Sequence, residues 1–429
     1  MPSCVSYTAV LAPDPVLDPA AVDLVTSGAA LGHDHDQARR AAMGEAVERY
    51  CANLIPTDLP VAAHSDLSAS GREALDPEEF ALYSPGQYAQ RGFPFVPMTR
   101  DLPIAWTAGQ DLASGGETWV PASLTYVNYY RGARKAQPPT NYPVLAGTAA
   151  GASPDQARLA ALREVLERDA VTLWWISGAP AAPLEPLHDI TVQAALEEAA
   201  ASGLRVTLLR IPSTLDVVVA GAFIEDPARR IVAFGSACRD TAATAAAKAL
   251  TEAIGTHETS LELLDRESGF WSAVRQGRIG HRPYRAHRAD RAYRDSFRAD
   301  WHDVNDVRLH LQAYLDPRMQ DARLDRLRNP RPPHGTRRPA ETGPSDLSGY
   351  VRLLTAQGLR AVAVDLTPEP VRAAGLHVAR VLVPGLYCNA PAAFPFLGGR
   401  RLYREPAARG WVSRPPAEGD LVLDPLPFS

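Results

Sequence analysis

The sequence predicts an α+β fold. Three alanine-rich stretches, Ala38 to Cys51, Pro154 to Trp175 and Thr241 to Leu264, read as helices. Leu204 to Ile211, Val217 to Glu225 and Arg230 to Gly235 follow one another as strand-type runs rich in Val, Ile and Leu. The two kinds of element mix without a regular strand–helix–strand period, which argues against a doubly wound parallel sheet.

The chain has 429 residues, of which 46% are hydrophobic and 22% charged, enough to bury a substantial core. We expect one large domain over residues 1–429. Its core part spans about 20–265, a variable insertion and mobile linker about 266–346, and a C-terminal part 347–429. The net charge of −5 gives no global electrostatic case for nucleic acid. Only Lys135 and Lys248 are lysines among 44 basic residues, so a lysine inside a candidate site is a rare choice for this chain. Cys4, Cys51, Cys238 and Cys388 are scattered without a Cys-x-x-Cys pair, which suggests neither a zinc knuckle nor a disulfide framework. Met1 to Pro19 lacks a basic-then-apolar signal pattern, and no run of about 18 apolar residues spans a bilayer. A reducing cytoplasm is the expected compartment.

The elements follow in order. His33-Asp34-His35-Asp36 stands at the start of the first helix. Its spacing fits no metal-ligand motif, and acidic residues there suit a helix N-terminus. Pro56 to Pro143 reads as irregular chain with short strands such as Thr118 to Val120. Ser153-Pro154-Asp155-Gln156 opens the second helix, with Ser153 as N-cap, Pro154 in the first turn and Gln156 closing a capping box. Asp240-Thr241 caps the third. Arg275 to Asp300 interleaves arginine with aspartate and reads as a solvated face or helix. Asn329 to Ser345 is a Pro-, Gly- and Arg-rich linker. Leu347 to Gly358 reads as helix, and Ala361 to Leu366 and His377 to Val383 as strands.

The chemistry-bearing residues sit on the three long helices. Glu45-Ala-Val-Glu48-Arg49 and Glu164-Val-Leu-Glu167-Arg168 echo each other. Carboxylates three apart share one helical face, with the arginine beside the second. On the third helix Lys248 and Glu252 lie one turn apart. Glu45, Glu48, Glu164, Glu167 and Glu252 could converge on Mg²⁺, which prefers a few carboxylates plus phosphate oxygens and water. The arginines could each hold a phosphate with two parallel hydrogen bonds. Such segments are also common on solvated helices, but alanine-rich flanks suggest burial, and buried glutamates need partners. No Gly-x-x-x-x-Gly-Lys-Ser/Thr and no Rossmann Gly-x-Gly-x-x-Gly is present, so a nucleotide would have to bind by another route. No Ser/His/Asp triad can be singled out.

Taken in order, these segments resemble the YcaO family. Gly32 with Ala38 to Tyr50 is similar to its first nucleotide segment. Thr148 to Ala170, "TAAGASPDQARLAALREVLERDA", is the most specific match. Ala245 to Ala253, "AAAKALTEA", is similar to the third segment. Gly375 to Leu402 resembles the C-terminal region, and Asp424-Pro-Leu-Pro-Phe-Ser429 resembles the proline-rich tail of azoline-forming members, with Ser429 where a third proline is usual.

The resemblance implies a YcaO-like fold, with ATP and Mg²⁺ as cofactors. It assigns Gly32, Glu45, Glu48, Arg49, Glu164, Glu167, Arg168, Lys248 and Glu252 to nucleotide binding and the five glutamates to the metal. Catalytic residues as such are not assigned. Lys248 stands where the family usually has arginine, Leu31 where a lysine is expected, Ala41 where a serine is expected, and Ala152 and Gln156 where asparagine and glutamate often occur.

The implied activity is that of a stand-alone cyclodehydratase, an ATP-dependent activator of backbone amides in a ribosomally made precursor peptide. It would form thiazolines or oxazolines in natural-product (antibiotic) biosynthesis. Amidine or thioamide formation by the same amide phosphorylation is the first alternative, and a non-catalytic peptide-binding subunit the second. The precursor peptide and a second protein that binds its leader are the expected partners, and a homodimer is left open.

Overall fold

The computed structural model describes residues 4–10, 27–32, 34–184, 189–278, 280–332 and 341–427. The core of the expected mobile linker, residues 333–340, and the last two residues of the tail lie outside the described residues. Twelve strands are numbered, together with the described helices of seven residues or more. They are β1 (Val5–Val10), β2 (Ser27–Gly32), α1 (His35–Asn53), β3 (Val61–Ala62), β4 (Ile104–Asp111), β5 (Glu117–Pro121), β6 (Thr148–Gly151) and α2 (Pro154–Ile176). There follow β7 (Ala182–Pro183), α3 (Ile190–Ala201), β8 (Arg205–Arg210), β9 (Val218–Asp226), β10 (Ile231–Arg239) and α4 (Ala242–Leu264). The last are α5 (Gly269–Arg275), α6 (Arg308–Tyr314), α7 (Leu347–Ala356), β11 (Val362–Asp365), β12 (His377–Leu382) and α8 (Arg401–Ala408).

The strands form three antiparallel sheets. One is the β1–β2 pair, one runs β10-β9-β8-β7, and one runs β3-β4-β11-β12-β6 with β5 added to β4. Helix α2 starts where expected, with Ser153 accepting from the Gln156 amide, and then runs through the core. Its buried residues include Ala161, Leu162, Leu166, Ala170, Leu173 and Trp174. It packs on β6 and β12 and also touches β10, so it bridges two sheets. At its far end Arg326 donates to the carbonyls of Trp174, Trp175 and Ala179 and stacks on the Trp175 ring, satisfying carbonyls that a helix end leaves open.

Helices α1 and α4 meet their strands backbone to backbone. A Cβ on Gly28 would stand 2.3 Å from the Ala42 carbonyl and 2.4 Å from the Ala46 nitrogen. A Cβ on Gly235 would stand 2.4 Å from both the Ala249 carbonyl and the Ala253 nitrogen. Both contacts fall on the same local pattern, Ala-x-x-Glu-Ala, so each glycine sets the height of one glutamate, Glu45 or Glu252. The alanine-rich helix faces make this approach possible, because larger side chains would hold helix and strand about 10 Å apart.

One expectation needs correction and one alternative is decided. Gln156 does not close the capping box on Ser153; its side-chain oxygen accepts from the Ala152 amide, one residue further back. For the arginine-rich run from Arg275 onward the solvated face holds and the helix does not among the described residues, apart from one short 3-10 turn at Tyr293–Ser296. The run is a series of turns in which Arg288–Asp290, Arg298–Asp300 and Arg285–Asp303 pair at the surface while Tyr293, Phe297 and Trp301 are buried. The alternation of basic and aromatic residues thus separates a solvated side from a core side. No described helix is long and apolar enough to cross a membrane.

Because the Gly235 contact is with backbone atoms, Gly235→Ala is expected to destabilise the chain by about 1–3 kcal/mol in chemical denaturation. Gly255→Ala, on α4 with nothing near its missing Cβ, is expected to stabilise by up to about 1 kcal/mol. Equal effects at the two positions would contradict the close-approach account.

Candidate functional site

Helices α1 and α2 present carboxylates to neighbouring elements, and α4 carries one paired along its own face. From α1, Glu48 accepts from the Ala150 amide of β6 at 2.7 Å. From α2, Glu164 accepts from the Gly147 amide at 2.9 Å, and Glu167 accepts from the Ser236 hydroxyl of β10 at 2.7 Å. Arg168 lies between the last two, 3.2 Å from Glu167 and 3.8 Å from Glu164. Glu45 pairs with Arg49, and Glu252 with Lys248 on α4. Gly147 is required where it stands. Its φ is +89°, and a Cβ would meet the Val165 side chain at 2.7 Å and the Val381 carbonyl at 2.9 Å.

The charges interact across elements. Burial pushes the Glu48 carboxyl up to about 8, and the charges of Glu164 and Glu45 push the same way against the Ala150 amide and Arg49. Glu164 is likewise raised, mainly by burial, with Arg168 and Gly147 opposing. Burial works against the Arg168 cation, but Glu167 and Glu164, then Cys388 and Glu252, hold its proton more firmly than usual. Desolvation pushes Glu252 up, and Lys248 followed by Arg168 more than reverses it, so its pKa is lowered. The five glutamates and Arg168 are therefore one electrostatic group.

That group fits a hard divalent cation. Among the described residues no three His, Cys, Asp or Glu groups close on a single point. Mg²⁺ does not need three, since it takes one or two carboxylates and completes its shell with phosphate oxygens and water. The observation that carries the fit is the repulsion that Glu164 and Glu45 exert on the desolvated Glu48, which a bound cation would relieve. Glu48 and Glu164 are the carboxylates most in need of it.

Other expected positions fall elsewhere. Gly32 ends β2 opposite Val5 and lies against Ala38, about two turns of α1 before Glu45. Ala41 is exposed on α1. Asp34 caps α1 by accepting from the Gln37 amide, and the His35 ring meets the Tyr7 hydroxyl at 3.0 Å, so this cluster is a cap; His33 lies outside the described residues. Sequence reasoning did not single out Ser236, Gly147, Gly28, Gly235 or Arg380. The recurring Ala-x-x-Glu-Ala was a readable signal for the two close-approach glycines; nothing local marked Ser236 or Arg380.

Glu48 binds its proton more tightly in the folded chain than in the unfolded one. Between its ordinary value of 4.5 and about 8 the folded state holds the extra proton, so this group's contribution to stability falls as pH rises through that window and is level above it. Glu48→Gln, which cannot ionise, is expected to be more stable than wild type at pH 8, with the gap closing towards pH 5 in urea titrations. A gap independent of pH would contradict the burial of this carboxylate.

The YcaO family model, described as a cyclodehydratase that binds ATP and Mg²⁺, matches residues 29–387. The chain is 27% identical over 243 residues to an uncharacterised protein in the tfuA 3′ region of Rhizobium leguminosarum bv. trifolii, covering 54% of each. It is 28% identical over 243 residues to an uncharacterised protein of Methanothermobacter thermautotrophicus, covering 54% of this chain and 57% of that one. The matched region thus spans about half the length of these curated relatives. Among solved structures, a heterocyclase in complex with substrate and cofactor superposes with a TM-score of 0.67 at 19% identity, covering 94% of this chain and 50% of that one. The YcaO protein of Methanopyrus kandleri bound with AMPPCP and Mg²⁺ gives 0.53 at 20% identity, covering 91% and 84%. The family match takes in all three glutamate-bearing helices and the strands that hold them, and on that ground the chain belongs to the YcaO family of ATP- and Mg²⁺-binding cyclodehydratases.

Proposed function

We propose that this chain activates backbone amides of a ribosomally made peptide with ATP and Mg²⁺, giving thiazoline or oxazoline rings. The supporting observation is the grouping of Glu45, Glu48, Glu164, Glu167 and Glu252 around Arg168 in a chain without a Walker-type loop. The peptide's own Cys, Ser or Thr side chain attacks the preceding amide carbon and loses its proton to solvent. The carbonyl π pair moves to oxygen, and that oxygen takes the γ-phosphoryl group, releasing ADP. The nitrogen lone pair then expels phosphate as the N–H proton leaves, forming the C=N bond. An amide oxygen is a poor leaving group and phosphate a good one, so the chemistry asks the protein mainly for positioning and charge stabilisation.

Mg²⁺, when bound, supplies neutralisation of phosphate charge at Glu48 and Glu164. Arg168, fixed by two carboxylates, is positioned to orient phosphate oxygens. Ser236 and the Ala150 and Gly147 amides hold the carboxylates in place. Support also comes from the Methanopyrus kandleri neighbour, which binds AMPPCP and Mg²⁺, and from the Escherichia coli microcin synthetase McbBCD, which superposes at a TM-score of 0.54 and 13% identity and is a complex. A second protein that carries the peptide leader belongs to this reading. So does a reducing compartment, in which the scattered cysteines stay as thiols.

Calorimetry with Mg–AMPPCP tests the reading. Wild type is expected to bind, and Glu164→Gln and Glu48→Gln each to lose on the order of 10–100-fold in affinity. ATP-dependent loss of one water per modified residue, read by peptide mass, completes it. No nucleotide binding would favour a non-catalytic peptide-holding subunit, in which the Glu45–Arg49 and Glu252–Lys248 pairs are simply structural. A mass change other than water loss would point to the amidine or thioamide variants.

A further inference from the structure

Arg380 on β12 is 2% exposed, yet it makes no ion pair among the described residues. Its Nη1 donates to the Leu145 and Ala146 carbonyls and the Thr148 hydroxyl at 3.0, 2.6 and 3.1 Å, and its Nη2 donates to the Leu124 carbonyl at 2.8 Å. The Nε hydrogen has no acceptor among the described residues. Its hydrogen-bond partners are all neutral; burial pushes its pKa down to about 10, opposed by the nearby Cys388 and Glu164, neither of which pairs with it directly.

The same side chain walls a cavity of about 70 Å³ together with Arg168, Cys388, Val165, Leu386 and Phe396. Most of that wall is aliphatic or aromatic. The segment gripped by Arg380, Leu145 to Thr148, also contributes the Gly147 amide to Glu164, so the cavity abuts the carboxylate group. Cys388 and Phe396 line a second cavity as well, whose other wall is the tail from Val422 to Leu426. That tail is fixed by Trp175 donating to the Asp424 carbonyl and Tyr314 donating to the Pro425 carbonyl. A largely apolar chamber walled by a guanidinium with no direct carboxylate partner and an unused Nε hydrogen suits a neutral polar group that gains negative charge during reaction.

We propose that this chamber is the acceptor pocket for the activated peptide bond. The side chain of the residue before the nucleophilic Cys, Ser or Thr fills its apolar wall, and that residue's amide oxygen meets Arg380 as the carbonyl π pair moves onto it. The proposal rests on the peptide-activating reading above and adds a preference for an apolar residue at that position.

The probes are two capped dipeptides, N-acetyl-leucyl-serinamide and N-acetyl-aspartyl-serinamide, offered to the full chain loaded with Mg–AMPPCP. Saturation-transfer NMR is expected to give leucyl methyl signals at least fivefold stronger than those from the aspartyl probe. Leu386→Trp, which fills the chamber and leaves every Arg380 hydrogen bond intact, is expected to cut the leucyl signal at least fivefold while Mg–AMPPCP affinity stays within twofold. Equal signals from the two probes, or an undiminished signal in Leu386→Trp, would overturn the pocket while leaving the nucleotide reading intact. Failure of Mg–AMPPCP to bind wild type would instead defeat the underlying reading, and the pocket with it.

Discussion

Desolvated carboxylates crowded around one guanidinium are what the rest of this structure serves. Burial raises the proton affinity of both Glu48 and Glu164, Glu164 adds to the effect on Glu48 and Glu167 to that on Glu164, and Arg168 is held by Glu164 and Glu167. Left to themselves such groups would separate or take up protons. They are kept together because the elements that carry them have no freedom to retreat. Helix α2 is wedged between two sheets, and Gly28 and Gly235 seat α1 and α4 directly on strand backbone. The cluster is therefore a preorganised demand for positive charge, strained without it and relieved by a cation with phosphate.

Much of this was legible in the sequence. The caps at Asp34, Ser153 and Thr241 placed three helix starts, and β-branched runs placed β8, β9 and β10, because these signals act over a few residues. The glutamate spacings placed acidic groups on shared helical faces. Their partners were not legible. Glu48 meets β6, Glu164 meets the turn before it and Glu167 meets β10, contacts 17 to 102 residues apart in the chain. The glycine contacts show the same limit, since an unoccupied Cβ position acquires meaning only when a helix lies against it.

The arginine-rich stretch illustrates a different limit. Its composition alone suggested a solvated surface, and its arginines do pair there. Its aromatic residues, however, turn inward, and Trp301 donates to Asp424 of the tail. The segment expected to vary most thus helps fix the chain's end against the end of α2, beside the cavity that holds Cys388. Its buried His310 accepts from the Ala392 amide and is pushed down to about 4 by burial, so it is a neutral structural acceptor rather than a pH switch.

The most direct test of the central claim is the proton balance of nucleotide binding. A carboxylate that burial keeps protonated must ionise to hold a cation, and metal binding then releases its proton. Titration of wild type with preformed Mg–AMPPCP at pH 7, in buffers of different ionisation enthalpy, is predicted to show proton release that fades above pH 9 and is reduced in Glu48→Gln. Binding with no buffer dependence at pH 7 would contradict the claim that a desolvated carboxylate cluster is what receives the metal.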